Sequence, residues 1–598
     1  MSRNAEVADR FEEMADLLEA NGVEYKPRSY RRAAENVREH PAPIEGLVAE
    51  GRDAVQGIDG VGDALAEKIV EYVETGDIEE LTDLREELPV DMKALTSVEG
   101  VGPKTVGKLY EALGITTLDE LEAAAEAGDV REVSGFGATT ESNILEHIPF
   151  ARQAQERELL GDARPVAESI LARLCDADAV ARADVAGSLR RWRETIGDVD
   201  VLVASEEAAA AVDAFLDWDA VDDVIESGTT KASVRARGMR IDCRVVVPDE
   251  FGSALQYFTG SKDHNVHLRN LAIERDLKMN EYGVFDVSSE ALRPSSSRTE
   301  SDDDVEGGKT DGQRVGRRIG GTTEAEMYDA LDLPPIPPEL REDRGEIEAA
   351  RDGRLPDLLA VEDVRGDLHT HTDWSDGTAS VETMIAAAAD RGDDYLAITD
   401  HATGPGMVGG VGLDDDELRE QMDVVAAAAA DADVEVFHGV EANVDADGDL
   451  SVGADVLADL DVVIASPHSG LGEDRETATE RLVAAVEHPE TDVLGHPTGR
   501  LINDRPGLDP DIDRLVSAAA DADTALEVNA NPHRLDLHDE AIRTAVEAGA
   551  TVAINTDAHA AGELDFRRYG VHTARRGWAE RGDVLNALSA ADLRVGLD

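Results

Sequence analysis

The sequence has few of the residues that mark secreted, thiolate-metal or membrane proteins. Its two cysteines, Cys175 and Cys243, are too few for a disulfide framework or a zinc site of thiolates. No run of about 18 uncharged apolar residues occurs, so we expect no membrane span and no membrane partner. The charged first residues lack the apolar core of a signal peptide. We therefore expect a soluble, cytoplasmic protein that works as a monomer.

Lysine and aromatic residues are also scarce, and the charge is strongly of one sign. Only nine of the 57 basic residues are lysines, whereas Asp and Glu number 129, which gives a net charge of −72. Taken alone, this charge argues against DNA as a partner, because DNA binding relies on Lys and Arg displacing counterions. The acid is spread over the whole chain, however, which is typical of a halophilic prokaryote, whose 1 M salt screens charge within about 3 Å. The net charge therefore does not exclude DNA.

The length and patterning predict several domains. At roughly 150 residues per domain, 598 residues allow about four. Residues 1–150 read as short amphipathic helices between glycine turns, and from about residue 363 short apolar strands alternate with Ala-rich helices, which is typical of an α/β fold. Residues 295–320 are polar and glycine-rich, which predicts a flexible surface insertion. The proline-rich segment Leu333–Asp343 predicts a semi-rigid hinge.

Three turns with paired glycines each precede a helix. Paired glycines allow positive φ angles and bring backbone N–H groups close to a phosphate, and the following helix N-terminus adds partial positive charge. These units resemble helix-hairpin-helix elements, which hold the DNA backbone without reading sequence. A single copy would favour an ordinary turn, but three copies favour DNA binding. The residues expected to contact DNA here are Gly60, Gly62, Gly100, Gly102, Lys104, Gly135 and Gly137.

The segment from Gly187 to Val203 predicts a nucleotidyl-transfer site. Asp198 and Asp200 alternate along a strand, so both carboxylates point to one face. A further strand contributes Asp242, and three carboxylates can hold two Mg²⁺ or Mn²⁺ ions for in-line phosphoryl transfer. Gly187 and Ser188 open a loop whose backbone can reach triphosphate oxygens. Arg191 is expected to offset the triphosphate charge.

The segment from Tyr257 to Arg269 resembles the thumb motif of family X DNA polymerases. The resemblance implies that the incoming dNTP binds Tyr257, Phe258, Gly260 and Asn265, and that Arg269 contacts the template strand. The amino-terminal stretch resembles the lyase domain of the same family and implies that Lys68 forms a Schiff base with a 5′ deoxyribose phosphate. Its pKa would be lowered by the cations Lys26, Arg28, Arg31 and Arg32. The alternative is a solvated lysine that merely contacts the DNA backbone.

The carboxyl-terminal region contains 11 of the 15 histidines, and several of them follow strand-like apolar runs. The loops after the strands of an α/β barrel build its active site, so these side chains should surround one mouth. Imidazoles together with carboxylates suit Zn²⁺, Mn²⁺ or Fe²⁺. The candidates at strand ends are His369, His371, His401, Glu441, His468, His496, Asp557 and His559.

This ordered set resembles the polymerase and histidinol phosphatase (PHP) domain, a distorted β/α barrel. The resemblance adds Asp376 as a ninth ligand and implies three metal ions, here Mn²⁺, Zn²⁺ or Fe²⁺. A complete ligand set indicates a working phosphoesterase. Arg500, shortly after His496, is expected to bind a substrate phosphate.

Together, these resemblances imply a multidomain α+β and α/β protein. It is expected to fill gaps in DNA for base excision repair, with 3′→5′ exonuclease and AP endonuclease activity, on gapped or nicked duplex and primer ends with dNTPs. Two alternatives remain: a polymerase fused to a small-molecule phosphatase, and a noncatalytic DNA-binding scaffold. The expected domains are a lyase-like helix-hairpin-helix domain (1–85), fingers (86–150), a nucleotidyltransferase palm (151–250), a thumb (251–332), a linker (333–360) and a PHP domain (361–598).

Overall fold

The structure is a computed structural model. It describes residues 3–597 apart from 24, 40–43, 59, 99, 156, 289–312, 405–410 and 431.

The first part of the chain packs short helices around one apolar core. In that core the rings of Phe11 and Tyr30 meet edge to face with 5.5 Å between their centroids. Gly62 and Gly102 each cap the N-terminus of the helix that follows, and Gly137 immediately precedes α10, so all three glycine turns lead directly into helices. The helices are α1 (Arg3–Ala20), α2 (Lys26–Glu39), α3 (Ile44–Glu50), α4 (Arg52–Val55), α5 (Asp63–Thr75), α6 (Glu79–Glu87), α7 (Met92–Thr96), α8 (Pro103–Leu113), α9 (Leu118–Ala127) and α10 (Ala138–Gln155).

The next part is a five-stranded sheet with helices packed on it. Seven strands occur in this part of the chain, and five of them form the sheet. They are β1 (Glu158–Leu159), β2 (Arg182–Val185), β3 (Thr195–Ile196), β4 (Val199–Ala204), β5 (Val221–Ser227), β6 (Lys231–Ala236) and β7 (Met239–Val246). The helices are α11 (Leu160–Cys175), α12 (Gly187–Arg190) and α13 (Ala208–Leu216). The sheet order is β2-β4-β7-β6-β5, and β1 pairs separately with β3. Strands β4 and β7 are parallel neighbours, and this pairing sets the register of the acidic site.

Three helices and a small antiparallel sheet follow. They are α14 (Phe251–Thr259), α15 (Lys262–Glu274), β8 (Leu277–Asn280), β9 (Gly283–Asp286), β10 (Arg317–Gly320) and α16 (Glu324–Asp329). The prediction of a flexible insertion over residues 295–320 was wrong at its carboxyl end, because β10 pairs with β9 there. The rest of that prediction, up to residue 312, lies outside the described residues.

The proline-rich segment is packed against the protein rather than extended between domains. Leu333, Ile336 and Leu340 are buried in one core with Leu268 of α15. A further helix, α17 (Glu346–Arg351), adds Ile347 to the same core. The predicted domain boundaries themselves remain predictions.

The carboxyl-terminal part is a nearly closed barrel of seven parallel strands in chain order. The first and last strands are connected where the N–H of His371 donates to the carbonyl of Ala558 at 2.8 Å. The strands are β11 (Gly366–Asp367), β12 (Tyr395–Ile398), β13 (Glu435–Asn443), β14 (Val462–Ser466), β15 (Val493–Leu494), β16 (Ala525–Asn529) and β17 (Val552–Asn555). The helices are α18 (Val381–Arg391), α19 (Asp415–Ala429), α20 (Ala454–Leu457), α21 (Arg475–Val486), α22 (Ile512–Ala522), α23 (Asp539–Ala548), α24 (Arg567–Arg576) and α25 (Ala590–Leu597).

The predicted fold class is confirmed: helical amino-terminal units, a mixed palm and thumb, and a distorted β/α barrel occur in that order. In the part of the chain that the structure describes, no helix is long and apolar enough to cross a bilayer.

Candidate active sites

The three palm aspartates meet on neighbouring strands. Asp198 immediately precedes β4, and Asp200 on β4 lies directly opposite Asp242 on the parallel strand β7. Carboxylate oxygens of all three lie within 4.8 Å of one another. Such a set of oxygen ligands fits hard divalent cations, which neutralise acids held this close.

The electrostatics of this cluster are unfavourable without a cation. Burial, followed by the negative charges of Asp198 and Asp242, raises the pKa of Asp200 to about 7. Arg240 partly offsets this charge, because its Nε donates to Asp242 Oδ1 at 3.0 Å. Bound Mg²⁺ or Mn²⁺ would remove the remaining repulsion.

The loop that begins at Gly187 lies against the acidic cluster. Gly187 has a φ of 61°, and a Cβ at this position would clash with the carboxylate of Asp200. Only glycine fits here, and Ser188 follows it at the start of α12. The predicted triphosphate-binding backbone is therefore next to the aspartates.

Arg191 is engaged by protein groups. Its Nε donates to Glu342 at 2.9 Å, and its NH1 donates to the carbonyl of Thr259 at 2.6 Å. Its positive charge still lowers the pKa of Asp200. A role of Arg191 in nucleotide binding remains a prediction.

The predicted nucleotide-binding residues of the thumb form one connected group. The rings of Tyr257 and Phe258 meet edge to face with 5.2 Å between centroids. The amide of Asn265 donates to the carbonyls of Tyr257 and Gly260 at 2.7 and 3.1 Å, and the Nε of Arg269 donates to the carbonyl of Asn265 at 3.2 Å.

Two cavities adjoin this group. One, of about 120 Å³, is lined by residues that include Asp200, Asp242 and Phe258, so it connects the acidic cluster to the aromatic pair. Another, of about 620 Å³, is lined by residues that include Tyr257 and Arg269. Open space therefore adjoins both the predicted catalytic acids and the predicted contacts to the incoming dNTP and the template strand.

The glycine turns leave their backbone accessible. Gly60, Gly100 and Gly135 have positive φ angles of 70°, 81° and 94°. Among the described residues, no atom lies within 4 Å of a Cβ at Gly62, Gly100, Gly102 or Gly137, which leaves room for a phosphate backbone at these turns. Lys104 is 70% exposed, with its Nζ 3.5 Å from Glu19 Oε1.

Lys68 lies beside a carboxylate that the sequence interpretation missed. Its Nζ is 2.7 Å from Glu80 Oε2, and Lys26 Nζ is 3.6 Å from the other oxygen of Glu80. Arg31, another of the expected neighbouring cations, pairs with Asp16 and Glu19. The nearest described charge to the amine is therefore an acid.

The nine predicted PHP ligands converge at the carboxyl ends of the barrel strands. Three overlapping groups have ligand atoms within 4.8 Å of one another. The ninth residue, His496, is joined to them by a 2.9 Å contact between its Nε2 and Glu441 Oε1. The three groups are His371, Asp376, His401 and His559; His369, His371 and Asp557; and His401, Glu441 and His468.

The carboxylates and imidazoles of this cluster shift one another's pKa values strongly. Although burial opposes it, the charges of His401, His468 and His369 hold the pKa of Glu441 well below its usual range. Burial, together with the charges of His559 and His401, lowers the pKa of His371 to about 4. By contrast, although burial opposes it, nearby carboxylates raise the pKa of His401 to about 10 and hold those of His369 and His559 well above the usual value, so metal binding would release protons from these imidazoles.

One buried nitrogen indicates where a metal ion would bind. Among the described residues, the Nε2 of His369 has no hydrogen-bond partner, and it lies 3.5 Å from Glu441 Oε1 and 3.6 Å from Asp557 Oδ1. A metal ion is the ligand that would satisfy this nitrogen and both acids together.

Residues that the sequence interpretation missed hold the ligands in place. Glu527 is fully buried on β16, where its Oε1 accepts from His369 Nδ1 at 2.7 Å. Asn529 donates to Asp557 Oδ2 at 3.0 Å, and Asn443 Oδ1 lies 2.6 Å from His468 Nδ1. Such supporting contacts fix the tautomer and orientation of metal-binding imidazoles.

The assignment of Arg500 to a substrate phosphate was wrong. Its guanidinium donates to Glu194 of the palm at 2.8 Å and to the carbonyl of Leu535 at 2.6 Å. Arg534 instead lies beside the cluster, with Nε 3.5 Å from Asp557 Oδ2. Arg500 is therefore a contact between the barrel and the palm.

Comparisons with known proteins agree with this arrangement. Four family models match: a helix-hairpin-helix domain (2–78), a SAM-like helix-hairpin-helix tandem (92–148), the DNA polymerase beta thumb (254–342) and the PHP domain (367–531). The DNA polymerase/3'-5' exonuclease PolX of Bacillus subtilis (strain 168) is 35% identical over 592 residues, which cover 98% of each chain. The chain belongs to the PolX-like family X DNA polymerases with a PHP domain.

Other relatives of this family X chain match smaller parts. DNA polymerase lambda of Rattus norvegicus is 24% identical over 301 residues, which cover 47% of this chain and 49% of the relative. A probable phosphatase of Shewanella sp. (strain MR-4) is 29% identical over 208 residues, which cover 33% of this chain and 77% of the relative.

Proposed function

We propose that this family X enzyme fills short gaps in base excision repair and removes nucleotides from 3′ ends with its PHP domain. One observation carries the proposal. A single chain has two separate clusters of side chains that could bind metal ions, and both follow helix-hairpin-helix units in the sequence. The name of the Bacillus subtilis relative combines the two activities, which supports it further. The proposed substrates are gapped or nicked duplex, primer ends and dNTPs.

In the proposed polymerase site, Asp198, Asp200 and Asp242 hold two Mg²⁺ or Mn²⁺ ions. When bound, these ions stabilise charge on the attacking and the leaving oxygen. The backbone at Gly187 and Ser188 binds the triphosphate, because the turn at Gly187 lies against Asp200. The remaining proposed contacts to nucleotide and template are Arg191, Tyr257, Phe258, Gly260, Asn265 and Arg269.

In the proposed nuclease site, the nine ligands would hold three ions of Mn²⁺, Zn²⁺ or Fe²⁺, which when bound would supply Lewis-acid activation of water. The fully buried Glu527 fixes the orientation of the His369 imidazole. Arg534, 21% exposed beside Asp557, binds the substrate phosphate in place of Arg500. We include AP endonuclease activity at the same site, because the chemistry is again phosphodiester hydrolysis.

We also propose that Lys68 acts as a 5′ deoxyribose phosphate lyase. Lys26 supports this role, because it shares Glu80 with Lys68 and a neighbouring cation favours the neutral, nucleophilic form of the amine. Borohydride should trap the protein on incised abasic DNA. Trapping should be lost in Lys68→Ala and kept in Lys104→Ala, and equal trapping in both would reject Lys68.

The proposed function is tested on gapped DNA with a labelled primer, dNTPs and Mn²⁺. The wild-type chain should extend the primer, Asp200→Ala should lose extension but keep primer degradation, and His371→Ala should show the reverse. A wild-type chain with neither activity would be only a DNA-holding scaffold, and activities that neither substitution changes would refute the assignment of both sites.

The rival function for the barrel is a small-molecule phosphatase, which the similarity to a probable phosphatase favours. Histidinol phosphate and single-stranded DNA, supplied to the same preparation, separate the two. We expect DNA to be degraded far faster. Faster turnover of histidinol phosphate would assign the barrel to the rival function.

The charge of −72 supports a further proposal, that the enzyme works as a monomer in the salty cytoplasm of a halophilic prokaryote. Primer extension should then increase as KCl is raised toward about 1 M, where screening is nearly complete. A steady decline with salt would contradict the halophilic setting.

A further inference from the structure

The loop before the catalytic aspartates, residues 190–194, lies against the PHP barrel. Its Trp192 has a φ of 54°, a left-handed conformation that is uncommon for a bulky residue. The indole stacks on His572 of α24, with 3.6 Å between ring centroids and 6° between planes. The guanidinium of Arg164 is 3.7 Å from the same indole. Contacts from the barrel thus help to hold this residue in a strained conformation.

A buried arginine of the barrel supports the loop backbone. Arg576, whose side chain is 4% exposed, donates to the carbonyl of Arg191 at 2.8 Å. The same side chain contacts Glu342 at 3.1 Å and Asp539 at 2.6 Å. Because Arg191 also donates to Glu342, a single acid lies between the two guanidiniums and allows them to approach.

A further contact holds the other end of the loop. Glu194 accepts from Arg500 of the barrel at 2.8 Å. Between these two anchored ends the loop includes Arg193, whose NH1 is 3.7 Å from Glu342. Residues 191–194 are therefore held by side chains that lie outside the palm sheet, and most of these belong to the barrel.

In the chain, this loop lies between the proposed triphosphate-binding residues and the aspartates, so its position affects how the two are arranged. It follows α12, whose first residue Gly187 lies against Asp200, and it leads through the short strand β3 to Asp198 and β4. A shift of the loop would move the triphosphate-binding backbone relative to the catalytic acids. Misplacement by about 1 Å can reduce catalytic efficiency by about 100-fold.

We propose that the PHP barrel positions the nucleotide-binding loop of the polymerase site, with Arg576 and His572 as positioning residues. This inference rests on the proposed role of Gly187 and Ser188 in binding the triphosphate. The barrel thereby serves nucleotide addition through a surface that is separate from its own metal ligands.

The test measures single-nucleotide insertion and 3′ degradation in the full chain. Arg576→Met should raise the dNTP KM by about 10- to 100-fold with a smaller change in kcat, because a displaced loop weakens triphosphate binding. His572→Leu should raise the KM by about two- to tenfold, the value of one aromatic contact. Degradation of single-stranded DNA should stay within about twofold of wild type in both variants, which also shows that the barrel is folded.

The matched control is Arg594→Met, because both partners of Arg594, Glu435 and Asp461, belong to the barrel. It should change neither activity. The inference is overturned if both test variants insert dNTPs with the wild-type KM, or if insertion and degradation fall together. His572→Leu decides the matter should Arg576→Met fail to fold. A wild-type chain that inserts no nucleotide would instead refute the proposed polymerase function.

Discussion

The palm and PHP clusters hold their acids in opposite ways. In the palm, three carboxylates face one another, and the pKa of Asp200 is raised to about 7 by burial and by its acidic neighbours. In the barrel, Glu441 and Asp557 lie among imidazoles, whose charges overcome burial and keep both pKa values well below the usual range. The palm cluster is thus a repulsive set that needs cations, whereas the barrel cluster is already balanced by its own side chains.

The largest expected effect is a loss of exonuclease activity in Glu441→Gln, which disturbs the charge balance of the barrel cluster. Glutamine keeps the shape but removes the negative charge from the contacts to His401, His468 and His496. Exonuclease activity on 3′-labelled DNA should fall by more than about 100-fold while primer extension is unchanged. Glu435→Gln, at the other end of the same strand, is the matched control and should leave both activities intact. Wild-type degradation by Glu441→Gln would contradict the assignment.

A smaller effect is expected from Glu527→Gln, which alters the support behind the ligands. The Glu527 carboxylate accepts from His369, Asn529, Asn555 and the N–H of His496, so an amide NH₂ would face a donor. Metal affinity and nuclease rate should each fall by about 10- to 100-fold. Metal titration and the nuclease assay check this, and primer extension in the same preparation serves as the control. Unchanged metal affinity would show that the side chain is only a packing residue.

The smallest expected effect is a change in melting temperature. It concerns Asp492, a barrel acid that is not one of the nine predicted ligands. Burial is the main cause that raises its pKa to about 7, although the N–H of Val463 donates to it at 2.7 Å. A carboxyl with a raised folded pKa favours the folded state fully below the unfolded value of 3.8, and this stabilisation is lost as pH rises toward 7.

Asp492→Asn removes that charge and keeps an acceptor for Val463. Its melting temperature should exceed that of wild type by about 2–4 °C at pH 8, with a smaller difference at pH 5. Asp509→Asn, at a side chain that is 84% exposed, should show no such trend. A constant difference between the two pH values would mean that Asp492 stays ionised throughout.

Much of both sites was predictable, because strand periodicity and register determine where side chains point. Alternation placed Asp198 and Asp200 on one face, and the parallel pairing with β7 then brings Asp242 opposite. The histidines could be placed in the same way, since successive parallel strands end at one edge. These patterns depend on local spacing, which a sequence shows directly.

The remaining features depend on contacts between distant segments. Strand β16 ends without histidine, so nothing near Glu527 indicated that its carboxylate orients His369. Arg500 follows a ligand in sequence, yet its guanidinium faces the palm. Likewise, β10 forms only by pairing across a long insertion with β9. The spacing of residues along the chain does not predict such contacts.

The central claim is that the chain contains two separate cages for divalent ions. Crystals of the full chain with a gapped primer and a nonhydrolysable dNTP analogue, soaked in Mn²⁺, test it through anomalous scattering. We predict peaks within about 2.0–2.6 Å of the oxygens of Asp200 and Asp242, and a second group of peaks between Glu441, His371 and Asp557. An anomalous map that lacks peaks at one of the clusters, or at both, would contradict the account.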